Sequence, residues 1–288
     1  MNIIVLVKQV PDTRNVGSDA MNADGTINRA ALPAIFNPED LNALEQALRL
    51  KDENPESKIT VLTMGPGRAA DILRDALYRG ADDAVLLTDR AFAGADTLAT
   101  SYALATAIKK IGNYDIVLCG RQAIDGDTAQ VGPQVAQQLG IPQVTYTRRV
   151  VSIEHGGIIV ERSIENGVET VKAPLPLLLT VDGSADECRP QNVYRMLRFH
   201  RAATPTEQAS EGYKYRAQVV ADEALTIKEW SLADVEGDAA RCGLSGSPTK
   251  VRKVENIVFQ AKESKRYTAS DEDIKALVGE LLANHTIG

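Results

Sequence analysis

Ile116-Val117-Leu118-Cys119-Gly120-Arg121-Gln122-Ala123-Ile124-Asp125-Gly126-Asp127-Thr128-Ala129-Gln130-Val131-Gly132-Pro133 reads as a strand, a loop and the start of a helix. The apolar run at its head does not alternate, which means a strand buried on both faces. Pro133 is tolerated only in a helix's first turn, so the helix begins between Thr128 and Gly132 with its free N–H groups facing the strand end. That geometry is a ready anion site. Bare carboxylates at Asp125 and Asp127 would repel a phosphate, so they are read as acceptors for ribose hydroxyls or loop N–H groups. The same spacing suits a structural Asx turn followed by a helix cap.

Three further runs of the same texture lie at residues 3–7, 59–63 and 84–88, with helical periodicity between them. Leu41, Leu44, Ala47 and Leu48 form one stripe of a helix over 40–51, and Ile72, Leu73, Ala76 and Leu77 one over 68–79, which Gly80 ends. Asp96 or Thr97 caps a third helix that runs to Ile111 and stops at Gly112. Strand and helix in repetition imply an α/β fold, a Rossmann-like parallel sheet flanked by helices, to about residue 145. Beyond it come β-rich stretches at 144–154, 157–164 and 169–172, joined by glycine turns. Residues 175–181 are placed to rejoin the main sheet. From about Arg189 the chain is basic and weakly periodic, with a last helix over 271–283. Its few apolar residues do not make a core, so it reads as an arm laid on a partner.

The 288 residues, 44% of them apolar, exclude a disordered chain, and a net charge of −7 argues against nucleic acid as a partner. Cys119, Cys188 and Cys242 are odd in number and far apart. They are read as reduced, buried thiols, with no metal site. The start MNIIVLVKQV lacks a basic n-region and is read as a first strand. No apolar run approaches the ~20 residues needed to span a bilayer, so the expectation is a soluble, cytoplasmic protein without membrane insertion.

In open parallel sheets ligands sit outside the carboxyl ends of the strands. The second strand runs into Met64-Gly65-Pro66-Gly67, where glycines admit a ligand to the backbone or simply make a turn. Neither this loop nor 119–133 has the spacing of a P-loop or a dinucleotide fingerprint. His155, His200 and His285 form no triad and are read as solvated surface.

Val7-Lys8-Gln9-Val10-Pro11-Asp12, Asn37-Pro38-Glu39-Asp40 with Ala43 and Glu45, the stretch RDALYRGADDA over 74–84, and the Gln122 to Pro133 loop together resemble the beta subunit of electron-transferring flavoproteins. The resemblance implies a heterodimer in which an alpha subunit holds FAD and this chain is an electron-transfer subunit, not a free-standing enzyme. It also implies an adenine nucleotide held here by Leu6, Asn37, Asp40, Met64, Gly120, Arg121, Gln122, Ala123, Ile124, Asp125, Gly126, Asp127, Thr128, Ala129, Gln130 and Val131. That nucleotide is AMP in ordinary members and a second FAD in members that bifurcate the electrons of NADH. Gly94, Ala95, Asp96 and Thr97, after the third strand, resemble the FAD type, where they help form the NADH pocket; the same residues serve equally as a helix cap. The electron acceptors implied are an acyl-CoA-type or other flavin dehydrogenase and a low-potential carrier such as ferredoxin or flavodoxin.

A partner-recognition segment is implied at about 183–201, with Arg189, Val193 and Tyr194. Here Cys188 stands where the family has proline, and Val193 where the anchor is usually leucine. Residues 1–222 are thus expected as the nucleotide-binding domain with its β-rich extension, and 223–288 as an arm on the alpha subunit. The alternative of another class is an α/β nucleotide-binding regulator. An ATP-cleaving hydrolase or ligase would need a Gly/Ser phosphate loop after the first strand, and Lys8-Gln9-Val10-Pro11-Asp12 is not one.

Overall fold

The computed structural model describes residues 1–12, 33–154, 156–250, 264–284, 286 and 287. His155 and His285 lie outside the described residues; His200 is exposed at the end of a helix.

The apolar runs become β1 (Asn2–Leu6), β4 (Lys58–Met64), β5 (Asp83–Leu87) and β6 (Ile116–Gly120), preceded in the chain order of labels by a small antiparallel pair, β2 (Gln9–Pro11) and β3 (Ala34–Phe36). Between and after them lie α1 (Pro38–Glu53), α2 (Ala70–Arg79), α3 (Thr97–Ile111) and α4 (Val131–Leu139). The boundaries follow local chemistry. Asp96 caps α3, its Oδ1 accepting from the N–H groups of Leu98 and Ala99 at 3.0 Å. Gly112 ends α3, and Gly80, at φ 139°, ends α2. Pro133 is the third residue of α4, within its first turn. A short 3₁₀ turn at Gly67–Ala69 leads into α2, so the regular helix starts two residues later than its apolar stripe suggests.

The β-rich stretches are β7 (Gln143–Glu154), β8 (Gly157–Ile164) and β9 (Gly167–Pro174), an antiparallel meander, and the chain returns as β10 (Leu177–Val181). With β11 (Lys228–Trp230), the sheet order is β11-β5-β4-β1-β6-β10-β7-β8-β9. It is parallel from β11 to β7. Residues alternate between two apolar layers. Ile3, Val5, Ile59 and Val61 face α1 and α2, where Leu44, Leu48, Leu73 and Leu77 are buried. Ile4, Leu62, Val85 and Val117 face α3 and α4 with Leu104, Ile108 and Val135.

After β10 the chain forms α5 (Val193–Phe199), α6 (Pro205–Ala209) and α7 (Arg216–Ala221). The expected domain boundary at 222/223 is not a break in packing. Leu225 and Ile227 belong to the first apolar layer, β11 pairs with β5, and Val235 and Cys242 are buried in the second layer. The physical reason is the open edge of β5, whose N–H and C=O groups a short strand satisfies. The detached part begins later: α8 (Asp271–Ala283) has no buried residue, and Ile274, Leu277, Val278 and Leu282 lie exposed along it. Among the described residues, no helix is long and apolar enough to cross a membrane.

Candidate functional site

Three loops at the carboxyl edge of the sheet are tied together by buried polar side chains from the start of α1. Asp40, 6% exposed, accepts the backbone N–H of Lys8 on Oδ2 at 2.8 Å and that of Gly120 on Oδ1 at 2.9 Å. Burial pushes its carboxyl up to about 7, against the downward pull of those donors, of Asn37 and of the Lys8 charge. Asn37 donates to the carbonyl of Gln122 at 2.9 Å and accepts from the N–H of Ile124 at 3.2 Å. Glu39 accepts from the Gln122 N–H at 3.0 Å and pairs with Arg121 at 2.8 Å. The ends of β1 and β6 are thereby locked to α1. Gly120 is required for this: a Cβ there would stand 2.6 Å from Asp40 Oδ1 and 2.8 Å from Asp40 N.

Beyond Gly120 the loop opens. Ala123 accepts from the N–H groups of Gly126 and Asp127, and Gln122 Nε2 donates to Asp127 at 2.8 Å. Asp127 and Ala129 hold positive φ values of 48° and 53°, which cost non-glycine residues about 1 kcal/mol or more each and are concentrated at functional sites. Gly126 and Thr128 are exposed, and a Cβ at Gly126 would meet nothing within 4 Å. No side chain caps the N-terminus of α4 at Gln130, so Val131 and Gly132 present backbone N–H groups towards this space. The arrangement offers backbone donors, open space at Gly126 and a positive dipole end, features that suit an anion.

Of the residues expected to touch a nucleotide, Leu6 is a core side chain and Met64 ends β4 half-buried, so from Leu6 only backbone reaches the edge. Asp125, read as an acceptor for ribose or loop N–H groups, meets a cation from the end of β1. Both its oxygens take Lys8 Nζ, at 2.7 and 2.8 Å. Opposite charges at the ends of two strands meet because β1 and β6 are neighbours.

The loop after β5 opens on the same edge. Thr97 Oγ1 donates to Gln130 at 2.9 Å and accepts from Gln134, joining this loop to 120–131. Asp96 has a second tie: its Oδ2 accepts from Thr249 N–H and Oγ1. Burial raises the Asp96 carboxyl, but the bonds from Ala99, Thr249 and Leu98 outweigh it and hold the group below the usual carboxylate range.

The recognition segment lies elsewhere, against α1 and α2 towards the opposite edge of the sheet. Arg189, expected to face a partner, is engaged internally with Glu45 at 2.9 Å and Asp52 at 2.7 Å, which push its guanidinium pKa upward. Arg195 holds the C-terminal end of α2 through the carbonyls of Leu77 and Ala81. These struts leave Val193 64% and Tyr194 84% exposed, with Leu197 beside them at 62%. Leu197, Ser247 and Thr249 lie outside the motifs, and Lys8 and Glu39 lie within them without a role having been assigned to their side chains. Their roles depend on pairings far apart in the chain, although the Gly-Ser-Pro composition of 246–248 does mark a turn.

Among the described residues, no three His, Cys, Asp or Glu side chains cluster to hold a metal. Fold and site together define an open-sheet α/β protein of the Rossmann-like class, whose strand-end loops are pinned by helix-start side chains. Residues 24–211 match the electron transfer flavoprotein domain. The chain belongs to the electron transfer flavoprotein beta subunit family. It is 42% identical to the electron transfer flavoprotein subunit beta of Megasphaera elsdenii, over 97% of this chain and 99% of that one. It is also 42% identical, end to end, to a caffeyl-CoA reductase-Etf complex subunit of Acetobacterium woodii. The acryloyl-CoA reductase electron transfer subunit gamma of Anaerotignum propionicum is 40% identical over the full length of both chains.

Proposed function

We propose that this chain is the FAD-binding beta subunit of a bifurcating heterodimer, which takes electrons from NADH and divides them between a flavin dehydrogenase and a low-potential carrier such as ferredoxin or flavodoxin. The observation that carries the reading is the Thr97 to Gln130 hydrogen bond of 2.9 Å, which joins the loop holding the small residues Gly94 and Ala95 to the 120–131 loop. Two joined strand-end loops suit a ligand longer than a mononucleotide. The relatives that are parts of acyl-CoA-type reductase complexes support the same assignment.

In this reading the N–H groups at the start of α4 hold the phosphates, Asp40, Asn37 and Glu39 keep their loop in place, and Arg121 adds positive charge. FAD supplies two-electron exchange with NADH and one-electron exchange with protein carriers when bound. This chain's residues bind and orient. Gly94 and Ala95 leave space for the nicotinamide, and the Lys8 to Asp125 pair keeps an uncompensated carboxylate away from the phosphates. Tyr194, Val193 and Leu197 form the exposed apolar contact for the dehydrogenase, while the apolar stripe of α8 packs on the alpha subunit.

The test is cofactor extraction and the absorption spectrum of the purified heterodimer. Two FAD per heterodimer supports the proposal. One FAD with one AMP replaces it with the structural-nucleotide type, and absence of both overturns the nucleotide assignment.

A further inference from the structure

Residues 242–249, Cys-Gly-Leu-Ser-Gly-Ser-Pro-Thr, return to the loop after β5 from 153 positions further along the chain. Leu244 N–H donates to the carbonyl of Ala93 at 3.0 Å. The buried Ser247 hydroxyl accepts from Asp96 N–H at 2.8 Å and donates to the carbonyl of Gly243 at 2.7 Å. Thr249 places its N–H at 3.0 Å and its hydroxyl at 2.7 Å from Asp96 Oδ2, while Oδ1 of the same carboxylate caps α3. Gly243, at φ 55°, allows the approach, because a Cβ there would run into the carbonyl of Ala91.

Cys242 anchors the start of the turn in the second apolar layer, but from Gly243 onward the attachment to the loop is polar. Leu244 is 60% exposed, so the turn is not seated on the loop by burying its one large apolar side chain. The side-chain bonds converge on one residue, Asp96: Ser247 takes its backbone N–H and Thr249 its carboxylate, and it stands between Gly94 and Thr97. A tail merely packed on the domain would spread its contacts over the layer beneath, as Val235 and Cys242 do.

We propose that Ser247 and Thr249 are positioning residues of the strand-end site, fixing the loop 94–97 through Asp96. What they do to the loop stands on the hydrogen bonds alone; what they do to NADH rests on the reading of that loop given above. Losing the Thr249 hydroxyl leaves Oδ1 and the α3 cap intact, so the helix stays formed and only the lateral tether is weakened.

The experiment compares Thr249→Val, which keeps the shape and backbone N–H, with Thr249→Ser, which keeps the hydroxyl, in the purified heterodimer. Amide hydrogen exchange is followed over 94–99 and at Leu244, together with flavin content and NADH kinetics using an artificial acceptor. Thr249→Val is expected to speed exchange in the loop roughly fivefold, the factor one net hydrogen bond is worth. KM for NADH should rise by a similar factor with kcat and flavin content preserved, and Thr249→Ser should restore both. Wild-type exchange in Thr249→Val would overturn the inference. Faster exchange with unchanged KM would uphold the tether and remove the nicotinamide-facing reading of the loop.

Discussion

Replacing Asp40 with asparagine tests how the carboxyl edge of the sheet is held. Burial holds the Asp40 carboxyl at about 7 in the folded chain, well above the 3.8 of a free aspartate side chain. Between those values the folded state carries the extra proton, so this group's contribution to stability falls as pH rises and is lowest above 7. The loss between about pH 5.5 and about pH 8 amounts to roughly 2 kcal/mol. Asparagine has nothing to titrate, but its amide NH₂ must face either Lys8 N–H or Gly120 N–H. One buried backbone donor is then left unsatisfied, at about 1–3 kcal/mol independent of pH. The variant should therefore fare about 2 kcal/mol better, relative to the parent, at the higher pH than at the lower. Urea unfolding of the assembled complex at several pH values reads this directly. Parallel curves for the two proteins would refute the reasoning, since they would mean the two N–H donors keep Asp40 ionised throughout.

Gly126→Val should strip nucleotide while leaving the thermal midpoint of the nucleotide-free protein nearly unchanged, because its Cβ meets no protein atom within 4 Å; a retained nucleotide, measured by extraction, would move the site. Asp127→Ala loses only the bond to Gln122, about 0.5–1.5 kcal/mol, and should release less nucleotide than the valine variant. Tyr194→Ala and Leu197→Ala should slow electron transfer to the dehydrogenase with flavin content and unfolding midpoint intact, truncation of a docking anchor costing about 2 kcal/mol or more; unchanged transfer rates would exclude this helix as the contact. Arg189→Glu, by contrast, sets a third carboxylate against Glu45 and Asp52 and should lower the unfolding midpoint itself. Ala95→Leu should block reduction by NADH with FAD still bound, and a normal bleaching rate in rapid mixing would end the assignment of that loop.

The parallel sheet was legible because its strands are unbroken apolar runs with helix-period stripes between them, and because Gly80, Asp96, Gly112 and Pro133 mark helix ends by local chemistry. β11 was not legible: Lys-Glu-Trp carries no strand pattern, and its place depends on the open edge of β5. Helix α5 was hidden by Arg195 and Arg198, whose guanidinium groups lie over the Phe199 ring, where a helix stripe would carry apolar side chains. At the candidate site, the glycine and proline of 120–133 marked a strand, loop and helix start, and the structure has β6, a loop and α4 there. The partners of its charges did not follow from spacing, since Lys8 with Asp125 and Asp96 with Thr249 are 117 and 153 positions apart.

The seat of β10 between β6 and β7 has a consequence for synthesis on the ribosome. The meander β7 to β9 joins the rest of the sheet only through β10, so it is made before its linking strand, and until residue 181 has been added it can lean only on α1 and α4, as Val150 N–H does on Gln46. During the interval from residue 120 to 181, about 3–12 s at roughly 5–20 residues per second, the nascent chain carries a finished β6 with an open flank. Three unpaired edges then coexist on one nascent polypeptide: that of β6, that of the meander, and that of β5, which β11 covers only after residue 230. In that window the chain is most exposed to chaperone capture and to pairing with a neighbouring nascent copy, and slow codons between 120 and 181 should lengthen it.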